Sequence, residues 1–184
     1  KIAFLKKEGL EAIIDLRHKN EIDLEPDPFL ERNDVHYHNI AVLDHAQFTL
    51  EDLNQIKLSD LYIQIAENAN FIKQVFETLA SYKGAVLYHC SAGKDRTGVI
   101  TALLFKLVGV ANVDIVTNYE VSFTYLVPKY VDADRNVSEV YADLFASKPE
   151  TMVKFLQYID TKYPNIPAYF LSTDISMATL DTIK

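Results

Sequence analysis

Apolar positions recur along this chain with two periods. Between residues 59 and 81, Leu61, Ile65, Ala69, Ile72, Val75, Phe76 and Leu79 repeat every three or four positions, which predicts one core-packing helix. Residues 99–110 are apolar nearly all round, broken chiefly by Thr101 and Lys106, and predict a helix in the middle of the fold that ends near Gly109. Ala85-Val86-Leu87-Tyr88 is too continuously apolar for an edge strand with one wet face, so 84–89 reads as a central buried strand. Residues 12–16 and 35–42 predict two further strands. Ile2 and Leu5 share a face at the end of a helix capped by Gly9.

Polar stretches divide these elements. Arg17 to Glu21 reads as a loop, and Glu25-Pro26-Asp27-Pro28 breaks regular structure. A helix start is predicted at Thr49, and a helical run from Asp114 to about Tyr125 that Pro128 interrupts. Val131 to Asn136 suits a cover over a site, and 137–146 and 150–162 have helical spacing. Ser172-Thr173-Asp174 reads as the cap of a final helix through Ile183. The sum is an α/β fold: a central, mostly parallel, four- to five-stranded sheet flanked by helices.

The 184 residues, 49% hydrophobic and 24% charged, suit a single domain over 1–184. A net charge of -8 disfavours nucleic acid and anionic membrane surfaces as partners. No run approaches the ~18 apolar residues of a span, so no stable membrane insertion is expected. One cysteine rules out an internal disulfide framework and fits a reducing compartment. The chain starts at Lys1, so residues before it are expected. The location is accordingly cytoplasmic, or secreted if a signal segment has been removed.

Chemistry concentrates in His89-Cys90-Ser91-Ala92-Gly93-Lys94-Asp95-Arg96-Thr97-Gly98, between the strand 84–89 and the helix 99–110. A small-residue loop entering a helix makes an anion cradle: N–H groups point inward, here from Ser91, Ala92, Gly93 and Lys94, and the helix N-terminus adds positive charge. Such a setting stabilises a thiolate, the nucleophilic form of Cys90. Arg96 offers a planar fork matched to two phosphate oxygens. The thiolate can attack phosphorus in line, with the N–H groups and Arg96 holding the charge on the transferring group. Thr97 can donate to the sulfur when it leaves, and His89 can orient the loop. Thiolate and Arg96 supply what a metal would, so neither metal nor cofactor is required. A phosphate or other oxyanion is the expected guest of the loop.

The string resembles HCxxGxxR[ST]G, the signature loop of the cysteine-dependent protein tyrosine phosphatases. Its Lys-Asp-Arg variant resembles the bacterial LipA/PtpB-type subgroup of tyrosine, dual-specificity and phosphoinositide phosphatases. Ala12-Ile13-Ile14-Asp15-Leu16-Arg17 followed by Glu21 is similar to that subgroup's "IDLR…E" segment, and Tyr163 to Ile183 to its closing segment. The resemblance implies Cys90 as nucleophile, Arg96 as phosphate ligand, Thr97 as the hydroxyl, and Arg17 and Glu21 as support for the loop. Arg17 and Glu21 also fit a plain loop ion pair with each other.

A leaving phenoxide needs a proton. Asp95, inside the loop, resembles the intraloop Asp of myotubularin and Sac phosphatases; Asp44 matches, in chain order, the mobile-loop Asp of other relatives. Asp95 also fits a structural carboxylate that balances Lys94, and Asp44 a plain capping residue. Lys94 either contacts a second phosphate of an inositol ring or faces solvent. The expected activity is that of a broad-specificity phosphatase acting on phosphotyrosine, with phosphoinositide as the alternative, so a phosphorylated protein or a phosphoinositide is the substrate partner. A catalytically silent phosphate-binding module is the rival, and sulfur transfer a third reading that lacks a second, resolving cysteine.

Overall fold

The computed structural model describes residues 2–42, 57–131 and 146–184, with side chains through 126 in the middle segment. Its helices and strands run α1 (Ile2–Lys7), β1 (Leu10–Asp15), α2 (Lys19–Leu24), β2 (His36–Asn39), α3 (Leu58–Glu67), α4 (Ala69–Ala80), β3 (Ala85–His89), α5 (Arg96–Leu107), α6 (Asn112–Val131), α7 (Pro149–Lys162), α8 (Ile166–Ser172) and α9 (Met177–Ile183). Among the described residues no helix is long and apolar enough to cross a membrane.

The sheet is parallel throughout, in the order β2-β1-β3. It holds three of the four to five expected strands among the described residues. Its middle strand is β1, not β3 as the apolar run suggested. Leu10 to Asp15 is buried at every position but Glu11, whereas Leu87 of β3 is 37% exposed. Val86 and Tyr88 pack on the main core while Ala85 and Leu87 face outward, so the unbroken apolar run hides one wet face.

The main core covers one face of the sheet: Ile14 and Leu16 belong to one buried cluster with Tyr62 of α3, Phe76 of α4, Phe155 of α7 and Phe170 of α8. A smaller cluster of Leu10, Ile13, Phe29 and Val35 covers the other face, closed by Ile2 and Leu5 of α1. As its sequence implied, α5 is enclosed, with Val99, Ile100, Ala102, Leu103 and Leu107 buried.

Four helix boundaries depart from the pattern. The stretch 59–81 is two helices, because Asn68 takes φ -76° and ψ 84° and its side chain caps α4 by accepting from Phe71 N. The loop after β1 is helical from Lys19, where the Glu21 carboxylate reaches back to the His18 N–H at 2.9 Å. α6 continues to Val131 through position 128, where Pro gives up one hydrogen bond near the helix end. The cap of α9 is Ser176, which accepts from Thr179 N; Ser172 ends α8 instead, and Asp174 turns the chain with φ 61°. The predicted helix at 49 and the stretch 132–136 lie outside the described residues, as does most of 137–146.

Candidate active site

A parallel sheet brings the carboxyl ends of its strands to one edge, and here the register sets Asp15, Asn39 and His89 in one row. Cys90 follows His89 directly, at the edge where open α/β sheets bind ligands. Leu16 N donates to His89 O at 2.8 Å and Ile40 N to Asp15 O at 2.9 Å, which ties the strand ends together. The Asn39 side chain adds bonds to the carbonyls of Asp15 and Arg17, at 3.0 and 2.8 Å.

From Cys90 the chain turns through Gly93, whose φ of 70° favours glycine, and enters α5 at Arg96. Thr97, one residue into the helix, donates through Oγ1 to Cys90 Sγ at 3.2 Å. That first turn is clamped to β3: Thr101 donates to Thr97 O at 2.8 Å, and Tyr88 Oη lies 2.8 Å from Thr101 Oγ1. Sulfur and hydroxyl are therefore held by two adjoining rigid elements.

Glu21 is the acidic centre of the site. Arg96 gives it a bidentate fork, Nη1 to Oε2 at 2.6 Å and Nη2 to Oε1 at 2.7 Å. Ser91 Oγ donates to Oε1 at 2.5 Å. Burial alone would raise this carboxyl, but the Arg96 fork, Ser91 and the His18 N–H outweigh it and bring it down to about 2. Arg96 in turn is held above its ordinary range: burial works against its charge, and Glu21 and the Cys90 sulfur more than offset it.

Arg17 and Glu21 do not pair with each other. Arg17 closes on Asp15, with Nε at 3.0 Å from Oδ1 and Nη2 at 2.7 Å from Oδ2, and its Nη1 donates to Glu25 O at 2.9 Å. Tyr37 adds a hydroxyl donor to Asp15 at 2.7 Å. Asp15 is fully buried, which would raise its pKa, yet these donors hold it below the usual range. Arg17 thus anchors α2, and α2 presents Glu21 to Arg96. His89 sits beside this network, with Nε2 3.3 Å from Asp27 Oδ2 and 3.7 Å from Asp15 Oδ2, and Nδ1 3.1 Å from Cys90 O. Asp15, Asp27 and His89 could converge on a cation, but the Arg17 fork already occupies Asp15.

Lys94 does not face solvent. It is 1% exposed, with Nζ 3.3 Å from Asp95 Oδ1. The same oxygen accepts from Tyr62 Oη at 2.7 Å. Asp44 lies outside the described residues. Of the other predicted residues, the fold brings Cys90, Ser91, Arg96, Thr97, His89 and Glu21 together around one loop, places Ala92 and Gly93 within it, and keeps Arg17 one contact removed. Asp15, Tyr37 and Tyr62 were not anticipated as members. A lone carboxylate inside an apolar strand was the available sign for Asp15; Tyr37 and Tyr62 looked like ordinary strand and helix residues.

A family model described as the tyrosine phosphatase family matches residues 1–184. A tyrosine-protein phosphatase from Nostoc commune is 36% identical over 131 residues, 68% of this chain and 45% of that protein. A Cupriavidus necator protein whose name also carries "tyrosine-protein phosphatase" is 56% identical over 34 residues, 18% of this chain and 12% of that one. This chain therefore spans less than half the length of either relative.

Proposed function

Because the chain belongs to the tyrosine phosphatase family, we propose that it is a phosphomonoester hydrolase that dephosphorylates protein tyrosine through a phosphocysteine on Cys90, and that it is of the LipA/PtpB type. The observation that carries this is the Thr97 hydroxyl on the Cys90 sulfur at 3.2 Å. A structural cysteine needs no donor there, whereas a thiolate that must depart from phosphorus does.

In the first step the thiolate attacks phosphorus as the bond to the phenolic oxygen breaks. Asp95 gives that oxygen its proton. With Glu21 on the Nη end of the guanidinium, the Nε edge of Arg96 serves the phosphoryl oxygens, and the N–H groups of Ser91 to Lys94 complete the cradle. In the second step water attacks phosphorus, Asp95 takes a proton from it, and Cys90 leaves as a thiolate stabilised by Thr97. The burial of Lys94 against Asp95 favours phosphotyrosine over a phosphoinositide, since its ammonium is not presented to a second phosphate. A reducing compartment suits the free thiol.

The test is turnover of p-nitrophenyl phosphate, a phosphotyrosine peptide and a soluble phosphoinositide by the wild type and by Cys90→Ser. We expect all turnover to vanish in the variant and the peptide to exceed the phosphoinositide in kcat/KM for the wild type. A wild type no faster than Cys90→Ser would leave a silent phosphate-binding module. A many-fold lipid preference would reverse the order of substrates.

A further inference from the structure

We propose that Tyr62, backed by Tyr119, is the positioning residue that fixes the Asp95 carboxyl group for proton transfer. The inference rests on the reading of Asp95 as the proton donor. Tyr62 lies on α3, 33 residues before Asp95, and is fully buried. A buried phenol needs a partner for its hydroxyl. Here that partner is the Asp95 Oδ1, at 2.7 Å. Edge-on contacts lock the Tyr62 ring between Tyr119 of α6, with centroids 5.9 Å apart, and Phe155 of α7, at 6.2 Å. Its hydroxyl therefore points from a fixed place.

The Tyr119 hydroxyl, also buried, lies 2.8 Å from that of Tyr62. Each hydroxyl has one proton. Asp95, when ionised, can only accept, so the Tyr62 proton goes to the carboxylate and its oxygen receives the proton of Tyr119. The resulting chain, Tyr119 to Tyr62 to Asp95, polarises in one direction and strengthens the final bond. Burial first, and the charge of Asp95 second, hold the Tyr62 proton well above the ordinary phenol range, so it remains a donor at any working pH.

With Oδ1 fixed by Tyr62 and by Lys94 at 3.3 Å, the other carboxyl oxygen is the one that carries the transferred proton. Without the phenol the carboxyl group can rotate away from the leaving oxygen. Loss of one charge-assisted bond, or a misplacement of about an ångström, costs about 10- to 100-fold in rate.

The experiment compares Tyr62→Phe, Tyr119→Phe and Asp95→Asn on p-nitrophenyl phosphate, whose leaving group departs without help, and phenyl phosphate, whose leaving group needs a proton. We expect Asp95→Asn to lose far more kcat on phenyl phosphate than on p-nitrophenyl phosphate. Tyr62→Phe should repeat that selectivity, about 10- to 100-fold on phenyl phosphate, with KM and vanadate inhibition near wild type. Tyr119→Phe should move the same way by less, and Tyr62→Phe should add little in the Asp95→Asn background. Should Tyr62→Phe fold poorly, Tyr119→Phe alone carries the test. If both tyrosine variants slow the two substrates alike, or lose vanadate affinity in step, their role is structural and the inference is overturned. If Asp95→Asn itself shows no selectivity, the premise falls, and that result is separate from any tyrosine variant.

Discussion

Glu21 links the stability of this fold to its site, and Glu21→Gln measures the link. The carboxyl group titrates at about 2 in the folded chain against an ordinary 4.5. That displacement corresponds to about 3 kcal/mol of preference for the ionised form, since each tenfold change is about 1.4 kcal/mol. The side chain is 32% exposed, so screening reduces the useful part to roughly 2 kcal/mol. Because the folded pKa is depressed, the stability is fully present above pH 4.5 and is lost as pH falls through 2. Glutamine keeps the shape but not the charge, and leaves Arg96 facing a neutral amide. Urea unfolding at pH 7 should place Glu21→Gln about 2 kcal/mol below wild type, a melting temperature lower by about 4–8 °C for a chain of this size. At pH 2.5 the gap should shrink to about a quarter of that. A gap that is the same at both pH values would refute the reasoning, for it would mean that the carboxylate charge does not hold Arg96.

Two further perturbations follow from the same geometry. Thr97→Ala removes the donor at 3.2 Å from Cys90 Sγ, and should slow breakdown of the phosphoenzyme by about tenfold or more, seen as a burst of phenol followed by a slow steady state; an unchanged steady state with no burst would show the hydroxyl idle. Asp15→Asn strips the countercharge from buried Arg17 and should cost about 3–5 kcal/mol in urea unfolding at pH 7, and a loss below about 1 kcal/mol would show the pair to be solvated.

The sequence exposed the loop because the loop is local. Cys90, Arg96 and Thr97 sit within eight positions of each other, and strand, small residues and helix follow in order, so the cradle needs no distant partner to be read. The helical faces were legible for the same reason, since an apolar stripe is set by near neighbours. What escaped depends on pairings across the chain. The continuous apolar run of β3 cannot report that β1 takes the middle of the sheet, because strand order is decided by edge-to-edge pairing of strands far apart in the chain. Asn68 sits inside a regular stripe, and its capping role follows from the chain's turn there and from its second bond, to Val42 O.

The site residues divide along that line. Arg17 and Glu21 are four positions apart with opposite charges, the spacing of a local pair, yet each finds a partner elsewhere. Arg17 turns back to Asp15 because a buried carboxylate at the end of β1 requires a cation, and nothing on its own strand supplies one. Once Arg17 is committed, Glu21 is left for Arg96, and α2, which carries Glu21 and is anchored by Arg17, becomes the support of the loop. Lys94 obeys the same logic in reverse: a cation buried within the loop needs an anion, Asp95 is adjacent, and its accepting oxygen draws in the phenol of Tyr62 from α3. The carboxylates Asp15, Glu21 and Asp95 thus each bind a cation and a hydroxyl: those of Glu21 and Asp95 tie α2 and α3 to the loop, and that of Asp15 holds the Arg17 that anchors α2.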